Sequence, residues 1–132
     1  NFEKFLKKHN VKIAFESVYN PKKLKYFINE LNQETYGINY DTGNSASYGY
    51  DISEEFFFYG KRILNIHIKD RPYKGNTVPL GEGDVDFDNF FQLLKKYNYK
   101  GNLILQTARS KDNHHVELIS DYKSRIENYL TY

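Results

Sequence analysis

The stretch Ile63-Leu64-Asn65-Ile66-His67-Ile68-Lys69 decides the fold. Its period-two alternation is that of a β-strand and puts Asn65, His67 and Lys69 on one face. Outward from it, in both directions, the chain repeats a strand followed by an amphipathic helix. Upstream, Tyr36 to Asp41 reads as a strand whose Asn39 and Asp41 share a face, and Lys12 to Glu16 as a shorter strand ending in a carboxylate. Downstream, Asn102 to Gln106 reads as a fourth strand. Phe2, Phe5 and Leu6 open the chain at helical spacing, and Asn20-Pro21 is a cap followed by proline at the first helical position. Leu24, Phe27, Ile28 and Leu31 then form one apolar helical face. Ser53 is the expected cap of a helix carrying Phe56, Phe57 and Tyr59, with Gly60 as its stop. Asp86 caps the next helix, with Phe87, Phe90, Phe91 and Leu94 inward. Val116, Ile119, Tyr122, Ile126, Tyr129 and Leu130 predict a closing helix.

Alternating strands and helices imply βαβ units, right-handed crossovers and a parallel sheet. The one long connection, Asp70 to Val85, has the length of a functional loop. The turn Gly81-Glu82-Gly83-Asp84 within it lacks the Lys-Ser/Thr of a phosphate loop and is expected to cover substrate or to be a plain surface turn.

The 132 residues suffice for one domain and one core. A net charge of +2 argues against a dedicated nucleic-acid binder. No apolar run approaches the roughly 18 residues of a membrane span. The chain has no cysteine, which excludes disulfides and thiolate metal sites and fits a reducing compartment, so a cytoplasmic location is expected. It starts at Asn1 and contains no methionine, as expected of part of a longer product.

Two architectures accommodate these units: a small open sheet, or half of a (β/α)₈ barrel of about 250 residues. The polar residues favour the half-barrel. Each strand ends in a group able to bind metal, namely Glu16, Asp41, His67 and Gln106, and inward polar groups at the carboxyl ends of successive strands mark a barrel active site. Mixed oxygen and nitrogen donors suit Mn²⁺ foremost, then Mg²⁺, Co²⁺ or Zn²⁺. Such an ion can polarise a sugar carbonyl and stabilise an enediolate, with Glu16 as general base. Lys69, Arg71, Lys74 and Arg109 lie at or beyond strand ends, where they could meet a sugar phosphate. The competing role for His67 is a hydrogen-bonded core histidine. His114 and His115, adjacent on a helix, diverge by about 100° and make a poor metal pair.

Residues 39–44 (NYDTGN), 66–71 (IHIKDR) and 77–87 (TVPLGEGDVDF), in this order and spacing, resemble the xylose isomerase-like barrel superfamily. The resemblance is nearest to its sugar-phosphate isomerases and epimerases, of the hexulose-6-phosphate isomerase and L-xylulose-5-phosphate 3-epimerase type. It implies that residues 1–132 are a single C-terminal half-barrel, starting at the fourth helix and holding strands five to eight. It implies that Glu16, Asp41 and His67 are metal ligands and that Glu16 doubles as an acid/base. It also implies that Arg71 contacts substrate oxygens and that Asn44, standing where some relatives carry a metal-adjacent histidine, is a substrate-binding residue too.

The family usually has glutamate where this chain has Gln106. With two carboxylates instead of three, weaker metal affinity is expected, and a one-base aldose–ketose isomerisation survives better than a two-base epimerisation. The half-barrel leaves strand edges open, so pairing with an identical chain or with the missing N-terminal half is expected. The alternatives are a related metal-dependent sugar dehydratase and an incomplete barrel that binds a sugar or a partner without turnover. An endonuclease of the apurinic-site type would need more histidines and a basic face.

Overall fold

The computed structural model describes residues 2–131. Four parallel strands form one sheet in chain order: β1 (Ile13–Phe15), β2 (Tyr36–Asp41), β3 (Ile63–Ile68) and β4 (Asn102–Leu105). Helix α1 (Phe2–Lys8) precedes the sheet, and every strand is followed by helix: α2 (Pro21–Asn29), α3 (Thr42–Tyr48) with α4 (Ile52–Tyr59), α5 (Phe87–Lys96) and α6 (His115–Leu130). This is the parallel arc of half a (β/α)₈ barrel.

Local chemistry sets the boundaries. The Asn20 side chain accepts the amide of Lys23, with Pro21 opening α2, and Asp86 accepts the amide of Asn89 to start α5. At α4 the cap is Asp51, which accepts the amide of Glu54, and not Ser53; the Ser53 hydroxyl instead accepts from Asn89 Nδ2. Gly60 ends α4 in a right-handed conformation, and the chain runs on through a 3₁₀ turn, Gly60–Arg62, directly into β3. Helix α3 was not foreseen. Its sequence, TGNSASY, has no apolar periodicity; it forms because Asp41 caps its start and left-handed Gly49 ends it.

The two faces of the sheet differ sharply. Ile38, Tyr40, Ile66 and Ile68 are buried beneath Leu24, Ile28, Phe56, Phe90 and Leu94 of the helices. In the register Tyr40 pairs with Ile66 and Asp41 with His67, so the opposite face carries Asn39, Asp41, Asn65 and His67. On that face β4 contributes Ile104, which pairs with His67 and is 44% exposed. Helix α6 buries Tyr122 and Ile126, whereas Val116, Ile119 and Leu130 stay exposed.

Candidate metal centre

The strand register builds the site. Pairing of Asp41 with His67 puts these side chains next to each other at the carboxyl end of the sheet. Phe15 pairs with Ile38, so Glu16 emerges level with Asn39. One ligand atom each from Glu16, Asp41 and His67 lies within 4.8 Å of the others. His67 Nδ1 is 3.3 Å from Glu16 Oε2 and 3.9 Å from Asp41 Oδ2. Two ligands of one ion with bonds of ~2.2 Å sit at most ~4.4 Å apart, so both distances fit a shared cation.

Asp41 divides its work between its oxygens. Oδ1 accepts the backbone amide of Asn44 at 2.8 Å and caps α3. Oδ2 is buried and accepts no hydrogen bond. The Lys69 ammonium lies 2.9 Å from it as an ion pair, nearer than His67 Nδ1 at 3.9 Å. A buried carboxylate oxygen that faces a cation and accepts no hydrogen bond is the donor a divalent ion would use. Gly43 makes the approach of Lys69 possible, since a Cβ there would fall 2.7 Å from Lys69 Cγ.

Amides hold the side chains of Glu16 and His67. Asn65 Nδ2 donates to Asn39 Oδ1 at 2.7 Å, and Asn39 Nδ2 donates to Glu16 Oε2 at 2.7 Å while lying 3.3 Å from each ring nitrogen of His67. Asn44 Nδ2 donates to Glu16 Oε1 at 3.1 Å. Asn44 Oδ1 in turn accepts from Arg71 Nη1 at 2.7 Å, and Arg71 is anchored by two donations to the carbonyl of Gly75 at 2.9 and 2.7 Å. Both Asn44 and Arg71, expected at substrate, are thus joined to Glu16 in one chain of hydrogen bonds.

The long loop is fastened at its root. Asp70 is fully buried, and its Oδ2 accepts the amides of Gly81 at 2.8 Å and Gly83 at 3.0 Å, while Oδ1 accepts Val85 at 3.3 Å. The glycine turn therefore does form an anion nest, occupied by the chain's own carboxylate. Gly83 is required there, because a Cβ would fall 2.1 Å from Asp70 Oδ1.

The residues after β4 stand apart from this network. The Gln106 amide donates to the carbonyl of Ile68 at 2.9 Å, and strand alternation puts its exposed side chain on the Ile104 face. Arg109 is exposed and lines an open cleft of about 420 Å³ with Leu80 and Arg125. His115 Nδ1 accepts the amide of Ser110 at 3.2 Å, and both it and His114 are exposed.

Sequence reasoning missed Glu55, which is 3% exposed. Its Oε2 accepts the hydroxyls of Tyr40 (2.7 Å) and Ser45, and its Oε1 accepts Tyr59 at 2.7 Å. Burial pushes the Glu55 carboxyl above the ordinary glutamate range, opposed by these three hydroxyl donors. Burial, and then the charge of Glu55, pushes the Tyr40 and Tyr59 hydroxyls up. The signal was available: Ile52, Glu55, Phe56 and Tyr59 fall at i, i+3, i+4 and i+7, so the glutamate sits on the inward stripe.

A family model described as xylose isomerase-like TIM barrel matches residues 2–127. The chain belongs to this family. SgbU of Escherichia coli (strain K12), provisionally named an L-ribulose-5-phosphate 3-epimerase, is 37% identical over 81 residues, 54% of this chain and 28% of that protein. The xylose isomerase domain protein from Planctomyces limnophilus superposes with a TM-score of 0.80 at 22% identity, over 92% of this chain and 48% of that one. The IOLI protein, solved with a zinc atom bound, gives a TM-score of 0.78 at 21% identity, over 98% and 52%. These two likenesses establish the fold, half of a TIM barrel. The chain spans about half the length of the solved relatives it matches. Among the described residues no helix is long and apolar enough to cross a membrane.

Proposed function

We propose that residues 1–132 form a single unit, the C-terminal half of a xylose isomerase-like barrel, and carry the cation site and general base of an isomerase or epimerase acting on a sugar or sugar phosphate. The observation that carries this reading is the convergence of Glu16, Asp41 and His67, one ligand atom of each within 4.8 Å of the others. These three residues would hold a divalent cation, Mn²⁺ foremost, and when bound it supplies Lewis-acid polarisation of a sugar carbonyl oxygen. Glu16 takes a proton from the hydroxyl-bearing carbon beside that carbonyl and returns it to the carbonyl carbon, while the hydroxyl proton passes to the former carbonyl oxygen, giving aldose–ketose exchange with no net change in atoms. Asn39 and Asn44 fix the carboxylate for this transfer, one on each oxygen. The chain Arg71–Asn44–Glu16 transmits the position of the long loop to the base. Lys69, Arg71 and Arg109 are the cations offered to a phosphate or to sugar oxygens. The family name of SgbU points to phosphorylated ketoses as the first substrates to try.

Gln106 separates the two reactions. A second base across the barrel would have to stand near the end of β4, and an amide cannot serve. The barrel protein therefore isomerises better than it epimerises, and Gln106→Glu raises epimerisation and cation affinity together. The remaining strands, from a longer polypeptide or a partner chain, close the sheet edges at β1 and β4.

The decisive experiment follows deuterium exchange from D₂O into ketose phosphates with the complete barrel protein and Mn²⁺. Glu16→Gln is expected to slow exchange by about 10²–10⁴-fold, and His67→Ala to lose stoichiometric Mn²⁺. Exchange that survives Glu16→Gln rules out the base assignment. A second reading, a barrel that binds sugar without turnover, is favoured by Gln106 and by the hold of Lys69 on Asp41. It predicts saturable sugar binding with no deuterium exchange.

A further inference from the structure

The Glu55 cluster lies directly behind the cation site. A cavity of about 20 Å³, the size of one water, is lined both by Glu16, Asp41 and Asn44 and by Tyr40, Ser45 and Glu55. Two of the three hydroxyls on Glu55 come from the elements that carry the site: Tyr40 precedes Asp41 on β2, and Ser45 follows Asn44 on α3. The third, Tyr59, belongs to the same helix as Glu55.

Packing alone gives no reason for a carboxylate here. An apolar residue on the inward stripe of α4 would fill the space without the desolvation cost of a buried charge. What a carboxylate adds is direction, because hydrogen bonds fix where their donors sit. Helix α3 requires that. Its seven residues are mostly small and polar, poor helix formers that compete for their own backbone. Yet its first turn sets three contacts of the site: Asn44 N on Asp41 Oδ1, Asn44 Nδ2 on Glu16 Oε1, and Asn44 Oδ1 under Arg71. Rotating α3 by a fraction of a turn would disturb all three.

We infer that Glu55 is a positioning residue for the cation site: through Tyr40 and Ser45 it locks β2 to α3, so that Asp41 and Asn44 present their side chains to the same gap as Glu16 and His67. The inference rests on the cation-binding reading above. It assigns Glu55 no contact with substrate or cation.

The test uses the complete barrel protein and the variants Glu55→Gln, Ser45→Ala and Tyr59→Phe. Tyr59→Phe removes a donor of the same cluster but from α4 alone, so it is the control for ordinary destabilisation. Two readouts are taken: Mn²⁺ affinity by calorimetry, and amide hydrogen exchange at Asn44 relative to Asn89. Asn89 is held by Asp86 in an equivalent cap elsewhere in the molecule and serves as internal reference. Glu55→Gln and Ser45→Ala should weaken Mn²⁺ binding by about 10–100-fold, the usual effect of groups that orient metal ligands. They should also speed exchange at Asn44 about tenfold or more over Asn89, while Tyr59→Phe leaves both readouts near the starting protein. Unchanged Mn²⁺ affinity in Glu55→Gln and Ser45→Ala overturns the inference, as does an equal effect of Tyr59→Phe or equal acceleration at Asn89. If the unaltered protein binds no Mn²⁺, the cation-binding reading fails, and the Asn44-to-Asn89 exchange ratio alone then decides whether Glu55 positions α3.

Discussion

Replacing Asp70 by alanine tests how the long loop is held and how it bears on Glu16. The carboxylate is fully buried and receives three backbone amides, from Gly81, Gly83 and Val85. Amide bonds to a charged acceptor contribute about 1.5–3 kcal/mol each, and a buried donor left without a partner costs about 1–3 kcal/mol. The Val85 bond is the longest of the three at 3.3 Å and counts least. Two full bonds and one weak one give an upper figure of about 6–7 kcal/mol. The glycine turn can partly rearrange to meet water, so about 3–5 kcal/mol is the expected loss. Asp70→Asn retains an acceptor for Gly81 and Gly83 but turns an amide group toward Val85, and should cost about 1–3 kcal/mol. Urea unfolding of the complete barrel protein reads both numbers. The loop also carries Gly75, whose carbonyl anchors Arg71, which in turn bears on Asn44 and Glu16. Limited proteolysis between residues 72 and 85 should therefore accelerate in Asp70→Ala, and deuterium exchange into substrate should fall with it. A loss below about 1 kcal/mol with an undisturbed proteolytic pattern would refute the view that this carboxylate holds the loop.

Other substitutions probe the core and the charges. Phe90 is fully buried against Tyr40, Phe56 and Phe91, and Phe90→Ala should cost about 3–5 kcal/mol in urea unfolding. Lys69→Gln removes the ammonium that competes for Asp41 Oδ2; Mn²⁺ binding by calorimetry should tighten on the order of tenfold while the metal-free protein loses stability. Glu55 has a folded-state pKa raised above its unfolded value, so the folded protein holds the extra proton. Its contribution to stability is therefore lost as pH rises from the ordinary glutamate range through the raised folded value. Against the unaltered protein, Glu55→Gln should flatten that part of a stability–pH profile; an identical slope in both would contradict a buried, titrating Glu55.

The parts of this molecule that were legible in the sequence share a physical cause. Strand alternation is rigid: once Ile66 and Ile68 are inward, His67 must face the other way, and parallel register then brings it beside Asp41. Glu16, Asp41 and His67 could be read together because each ends a strand and strand ends in a barrel converge. Helix boundaries were legible where the cap is a side chain immediately ahead of an apolar stripe, as at Asn20 and Asp86. At α4 two candidates, Asp51 and Ser53, stood close together, and only the three-dimensional start of the helix separates them.

The illegible parts are those in which a polar side chain is satisfied by partners that leave no periodic trace. Helix α3 has no apolar stripe; its reason to exist is Asp41 at one end and Gly49 at the other, and the same Asp41 had already been read as a metal ligand. Asp70 is met by three backbone amides, and any residue except proline has one of those. Glu55 is met by hydroxyls from three positions whose neighbours look like ordinary packing, and Phe57, two residues on and on the other side of the helix, is large and apolar yet 74% exposed. The carboxylate occupies the inward stripe because three donors wait for it there, while Phe57 on the outer side gains no burial among the described residues. Glu16, Asp41 and His67 are thus readable from a pattern, and so is the inward place of Glu55 on α4, but the partners that meet Glu55 and Asp70 are readable only from the fold.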